Sequence, residues 1–188
     1  MKTLIASVDS DIGKALHDNI PNSVGTSRRQ EGFLYLDIDE GFPAFDLFDE
    51  VYYTIGVGGA KSPEDIMRIN ATNSYAFLDH IAKYVKPGGR INVLSSIAGS
   101  LQSNLDINIR ANIHYKMSKA ALNMGVIELH QRHRHLNWTI IHPGFVNTKM
   151  THGKNAPMEP DQCARKILSL PKLEGLSFLH VNGNKIEW

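Results

Sequence analysis

Apolar residues return along this chain in two rhythms. Short apolar runs occur at Thr3-Leu4-Ile5-Ala6-Ser7, Phe33 to Asp37, Val51 to Ile55, Ile91 to Leu94, Trp138 to Ile141 and Leu176 to Val181, and a further strand is placed around Asn22 to Gly25. Runs of this length without polar alternation predict strands buried on both faces. Between them, apolar positions recur every three or four residues. Ala15, Leu16 and Ile20 precede the stop at Pro21; Ile66, Ile69, Phe77, Leu78, Ile81 and Val85 follow the start Ser62-Pro63-Glu64-Asp65; Met117, Ala120, Ala121, Met124 and Ile127 mark a helix from about Ile113 to Arg132. An N-cap serine, a proline at the first helical position and early acids place the second helix firmly, and Lys86-Pro87-Gly88-Gly89 predicts its end at about Lys86. Glu159-Pro160-Asp161 opens a last helix. Glu40 to Glu50 leaves room for one or two helical turns, while Ser100 to Asn112 and residues 149 to 159 read as loops, the latter mobile.

Strands alternating with helical segments predict an α/β fold: a Rossmann-like, doubly wound parallel sheet of about seven strands with helices on both faces, in one domain spanning 1–188. Composition narrows the function. The 188 residues are 42% hydrophobic and carry a formal net charge of +1 with scattered basic residues, which gives no nucleic-acid surface and no anionic-membrane surface. A small-molecule partner fits better. No apolar run reaches membrane-spanning length, and Met1 to Ala6 begins a strand and is too short for a signal core. The lone Cys163 forms no internal disulfide and reads as a small apolar helix residue, so the expected setting is a reducing cytoplasm. The basic stretch His130-Gln131-Arg132-His133-Arg134-His135 complements a helix C-terminus and is read as no metal site.

In such a sheet ligands bind beyond the carboxyl ends of the strands, where the chemically marked residues fall. Ser7 to Gly13 forms a strand-to-helix turn, with Ser10 or Asp11 as N-cap and backbone N–H groups aimed at the space an anion would use. Thr26-Ser27-Arg28-Arg29 ends the second strand. Two hydroxyls and two guanidinium groups suit a phosphate, and arginine at this strand end favours NADP(H) over NAD(H). Asp37 ends the third strand within reach of an adenine amino group; Gly56-Val57-Gly58-Gly59 follows the fourth without side-chain bulk, and Asn70 lies on the apolar side of its helix. Ser95-Ser96 ends the fifth strand, and Tyr115 and Lys119 stand four apart on the next helix, where the ammonium would favour the phenolate. His142-Pro143-Gly144-Phe145-Val146-Asn147-Thr148 forms a rigid turn after the sixth.

The order of these motifs resembles the short-chain dehydrogenases/reductases over the whole chain, from Ser7 through Asn70, Ser96 and Tyr115-x-x-x-Lys119 to Pro143-Gly144-x-Val146-x-Thr148 and Val181-Asn182-Gly183. The phrases Asn92 to Gly99 and Ser118 to Asn123 are close to that family's wording. The resemblance implies an NADP(H)-dependent oxidoreductase that reduces a carbonyl or oxidises an alcohol. Tyr115 would be the general acid/base, Lys119 would lower its pKa and hold the nicotinamide ribose, Ser96 would bind the substrate oxygen, and Asn70 would keep a water in a proton relay. The cofactor would lie along Ser7, Ser10, Asp11 and Ile12, then Ser27 and Arg28, then Asp37 and Ile38 at the adenine, then Gly56 and Val57, with Pro143, Gly144, Val146 and Thr148 at the carboxamide. It also implies a homo-oligomer, dimer or tetramer, paired through the helices 63–86 and 113–132. Three departures stand out: Ala6, Ser7 and Asp11 replace the threonine and first two glycines of the family's first motif; Tyr53-Thr54-Ile55-Gly56 replaces Asn-Asn-Ala-Gly; and Ser96 and Tyr115 are farther apart than usual. They motivate an alternative, a nucleotide-binding sensor or interaction protein of this fold with little turnover.

Overall fold

A computed structural model describes residues 1–58, 60–151 and 155–188. Seven strands, β1 (Thr3–Ala6), β2 (Val24–Ser27), β3 (Leu34–Tyr35), β4 (Phe48–Tyr53), β5 (Val85–Leu94), β6 (Asn137–His142) and β7 (Leu176–His180), form one sheet in the order β3-β2-β1-β4-β5-β6-β7. Every neighbouring pair is parallel. The helices are α1 (Asp11–Asn19), α2 (Pro63–Met67), α3 (Asn73–Ala82), α4 (Leu101–Asp106), α5 (Ile113–Arg132) and α6 (Pro160–Leu168).

The unbroken apolar runs follow from burial on both faces. Leu4, Val51 and Ile140 point into a core closed by Phe77, Leu78 and Ile81 of α3 and Leu122, Val126 and Leu129 of α5. Their chain neighbours Ile5, Tyr52 and Ile141 point the other way, against Ala15 and Leu16 of α1 and Cys163, Ala164 and Ile167 of α6. Burial pushes the Cys163 thiol up to about 12, so it serves as a small core residue.

Several expected elements differ. The helix opened by Ser62 ends at Ala82, not about Lys86, and is interrupted by a π-helical turn at Arg68–Thr72. Val85 already belongs to β5, paired with Phe48. A register shift lies between Phe48 and Glu50, and Pro87-Gly88-Gly89 lies within β5 as a kink and does not terminate a helix. The reason is geometric: a Cβ on Gly89 would stand 2.9 Å from Asp49 O, so only glycine lets the strand bend past β4 here. The segment 40–47 is not helical; it lays Phe42 and Phe45 edge-on against Phe77 and covers the sheet without regular structure. The loop 100–112 contains α4, capped by Ser100, whose hydroxyl accepts from Ser103 N. On α5 the expected apolar stripe faces outward, with Met117 and Met124 exposed, and the buried face carries Ser118, Lys119, Leu122, Asn123, Val126 and Leu129.

Turn chemistry at the end of β1 is tightly specified. A Cβ on Gly13 would fall 2.0 Å from Ser7 O, 2.5 Å from Thr54 Oγ1 and 2.6 Å from Ser10 Oγ. Gly13→Ala is therefore expected to destabilise by about 3 kcal/mol through forced displacement of the turn, read as a lowered urea midpoint.

Candidate active site

β1 and β4 are neighbours in the sheet, and the chain leaves them toward opposite sides, β2 on one and β5 on the other. A crevice opens at such a switch point. Ser7 turns the chain out of β1 in the left-handed region, φ 80°, a conformation glycine adopts without strain. Thr54 at the end of β4 holds the turn by donating to Ala6 O at 2.9 Å or Ser7 O at 2.8 Å, and Ser10 Oγ donates to Thr54 Oγ1 at 2.9 Å. Ser10 is the N-cap of α1, accepting from Gly13 N at 2.9 Å; Asp11 is the first helical residue, and Ile12 packs on the α6-side core.

Asp11 turns away from the crevice. Its Oδ2 accepts from Lys149 N at 2.7 Å and its Oδ1 lies 3.5 Å from Lys149 Nζ. One residue on, Met150 covers Gly58, where a Cβ would meet Met150 Cγ at 2.8 Å. The segment after β6 thus reaches from the start of α1 to the loop after β4. Gly59 of the expected glycine loop, and 152–154 of the expected mobile loop, lie outside the described residues. An open cleft of about 480 Å³ beside this strap is lined by Asp11, Asn147, Thr148, Lys149, Glu159 and Pro160. Ser96, Tyr115 and Lys119 are not among its walls.

Ser96, Tyr115 and Lys119 converge across the carboxyl end of β5. Ser96 starts a 3-10 turn, Ile97–Gly99, its hydroxyl accepting from Ala98 N at 3.1 Å. Gly99 lets that turn lie directly on α5: a Cβ there would stand 2.6 Å from the Lys119 carbonyl carbon. The Tyr115 phenol lies beside the Ser96 hydroxyl. Burial raises its pKa above the ordinary phenol range, and the neighbouring Ser96 hydroxyl opposes part of that rise. The expected depression by Lys119 is not seen. Lys119 Nζ sits 5.8 Å from the Tyr115 ring centre, and burial lowers its own pKa to about 8. Its one acceptor among the described residues is Leu94 O at 3.4 Å.

Asn70 is fully buried in the π-helical turn and anchors the neighbouring loop. Its Oδ1 accepts from Val57 N at 2.8 Å and its Nδ2 donates to Val57 O at 3.0 Å and Ser118 Oγ at 3.0 Å. Ser118 in turn donates to Tyr115 O at 2.8 Å. This holds Gly56 against both side chains: a Cβ on it would lie 3.4 Å from Lys119 Nζ and 3.5 Å from Asn70 Oδ1.

At the far end of the crevice, the Arg28 guanidinium lies 3.7 Å from Asp37 Oδ2. Ser27 is buried and accepts from the backbone N–H groups of Arg29 and Gln30; Ile38 is buried in the α3-side core. At the other end, Gly144 turns the chain at φ 80°, Pro143 O accepts from Cys163 Sγ at 3.6 Å, Val146 is buried and bridged to Met158, and Thr148 N donates to Thr151 Oγ1 at 2.9 Å. His142, just before Pro143, is pushed down to about 4 by burial and by His180 beside it.

Ser27, Arg28 and Asp37 therefore gather at one end of the crevice, Asn70, Ser96, Tyr115, Lys119, Gly56 and Val57 at its centre, and Pro143 to Thr148 at the other. Sequence reading missed Thr54, Ser118 and Gly99. Ser118 was accessible in principle, since three residues after Tyr115 on a helix lies the same face; the contacts of Thr54 and Gly99 link segments too distant along the chain to leave a local signal.

No protein-family model and no curated sequence matches the chain. Solved structures do. A candidate short-chain dehydrogenase/reductase from Burkholderia multivorans with bound NADP superposes with TM-score 0.84 at 23% identity, covering 100% of this chain and 99% of that one. A carbonyl reductase from Pseudomonas aeruginosa PAO1 in complex with NADP gives 0.81 at 19% with the same coverages, and an NADPH-bound carbonyl reductase from chicken fatty liver gives 0.78 at 18%, covering 100% and 98%. The chain has the fold of the short-chain dehydrogenases/reductases.

Proposed function

We propose that this protein is an NADP(H)-dependent oxidoreductase that reduces a carbonyl or oxidises the corresponding alcohol. The observation that carries the reading is the convergence of Ser96, Tyr115 and Lys119 beside Gly56, at the centre of the switch-point crevice. The crevice fits a dinucleotide: Gly56 leaves a backbone cradle that a side chain would fill, and the buried Lys119 ammonium has donors to spare for a ribose. Solved proteins of this fold are described with NADP or NADPH bound.

The residues divide the work. The Tyr115 phenol gives its proton to the substrate oxygen during reduction, and Ser96 holds that oxygen in place. Lys119 stabilises the phenolate left behind, a role it can fill as an ammonium below about pH 8. Asn70 keeps Val57 and Ser118 in register, fixing Gly56 and the backbone of Tyr115. A bound nicotinamide supplies the two-electron chemistry. Ser7, Ser10, Asp11 and Ile12 border the pyrophosphate path, Arg28 and Asp37 the adenosine, and Pro143 to Thr148 the carboxamide. Met117 and Met124, exposed on α5 with Ile113, support pairing of two copies through that helix.

The test is a panel of aldehydes and ketones with NADPH oxidation as readout. Turnover of at least one, saturable in both components, is expected. NADPH binding without turnover across the panel would select instead a nucleotide-binding sensor, a reading that the replacement of a family glycine by Asp11 favours.

A further inference from the structure

The turn that follows β2 already holds an anion, and it belongs to the protein. Three consecutive backbone N–H groups converge there: Arg28 N donates to Asp9 Oδ2 at 3.0 Å, and Arg29 N and Gln30 N donate to Ser27 Oγ at 2.9 and 2.8 Å. The Ser27 hydroxyl passes its own proton to Asp9 Oδ1 at 2.7 Å, where Gln30 Nε2 also donates at 3.1 Å. Successive amides in a turn form an anion-binding concavity. Here the carboxylate of Asp9, arriving from the β1 turn, takes the first of these amides, and Ser27 Oγ takes the other two. Burial alone would raise the Asp9 pKa, but the hydrogen bonds from Ser27, Arg28 N and Gln30 more than offset this and hold it below the usual carboxylate range.

Charge counting shows the consequence. Arg28 and Arg29 supply two positive charges at the end of β2; Asp9, and Asp37 beside Arg28, supply two negative ones. The local sum is zero. A nucleotide 2′-phosphate carries about −1.5 to −2, by analogy with other phosphate monoesters at neutral pH, and needs both the amides and a net positive surround.

We propose that Asp9 sets the cofactor preference of this protein: its carboxylate holds the Arg28 amide and the Ser27 hydroxyl at the end of β2 and opposes a 2′-phosphate there, so that NADPH is favoured over NADH far less than the arginine pair alone would make it. The inference rests on the dinucleotide reading above and adds to it a residue whose effect is specific to the phosphate. A free 2′-hydroxyl can donate to Asp9, so the same carboxylate tolerates NADH.

Dissociation constants for NADPH and NADH, measured by nucleotide fluorescence on the full chain, test this. Wild type is expected to bind the two within about tenfold of each other. Asp9→Asn, which keeps the shape and removes the charge, is expected to tighten NADPH by about tenfold while moving NADH less than threefold. If Asp9→Asn lacks a cooperative melt, Asp9→Ser, which keeps an acceptor near Arg28 N, is read the same way. NADPH affinity that weakens or stays fixed in the folded variant overturns the proposal, and so does an equal gain for both nucleotides. In those cases the dinucleotide reading stands, because binding is still seen. Wild type and variants that bind neither nucleotide overturn both.

Discussion

Tyr115→Phe should lower the turnover of any carbonyl that the wild type reduces by roughly a hundredfold to ten-thousandfold, the range set by loss of a positioned proton donor. The phenylalanine ring keeps the half-buried aromatic surface beside Lys119 and deletes only the hydroxyl that faces Ser96. The fold should therefore persist, at a cost of about 1 kcal/mol for the lost polar contact. NADPH affinity, measured by fluorescence, should change little beside that loss of rate. A variant that turns over like wild type on the same substrate would remove Tyr115 from the chemistry. A variant that fails to bind NADPH would show that the hydroxyl acts in binding before it acts in proton transfer.

Lys119→Met should do two opposite things: abolish turnover and stabilise the protein. Lys119 is 4% exposed and has a single long hydrogen bond to Leu94 O. Its pKa falls from 10.5 to about 8, which corresponds to about 3 kcal/mol of folding free energy lost at neutral pH to keep the ammonium inside. Below pH 8 both folded and unfolded chains hold the proton and the cost is constant. Between pH 8 and 10 the folded chain releases it while the unfolded chain keeps it, so this group makes stability rise with pH. Methionine removes the cost. The variant should melt roughly 6 °C or more above wild type at pH 7, and the gap should narrow as pH approaches 10. An unchanged melting temperature would mean that the ammonium is better solvated than its burial implies.

These two expectations rest on a helix whose sequence points the wrong way. The bounds of α5 were legible, but its apolar residues Met117 and Met124 face outward while Ser118, Lys119 and Asn123 are buried. Hydrophobic periodicity fails where a helix must deliver polar groups to a site. The strands were legible because two-sided burial leaves unbroken runs, and the start of α2 because its cap chemistry is local. The end of α3 was not: Val85 lies four residues after Ile81, as a helix would have it, and is buried equally well as the first residue of β5. The π-helical turn around Asn70 has no residue signature, and it appears only once Val57 and Ser118 are seen to claim that amide. At the end of β2, the sequence marks Arg28 and Asp37 each as a candidate nucleotide ligand. Their pairing with one another, and the reach of Asp9 to Arg28 N, link segments that no local pattern connects.

The borders of the sheet have their own consequence. An open strand offers free amide and carbonyl groups to any extended chain it meets, the first step toward aggregation. Here β3 has only two residues, too few to template a partner. On the opposite border, the segment after β7 folds back to bond it, with His180 N donating to Asn184 O and Ile186 N to Phe178 O, while Gln102 N donates to Trp188 O. That closing segment both seals the border and tethers the start of α4, so trimming it would trade colloidal solubility and the setting of the residues beyond Ser96 in a single cut.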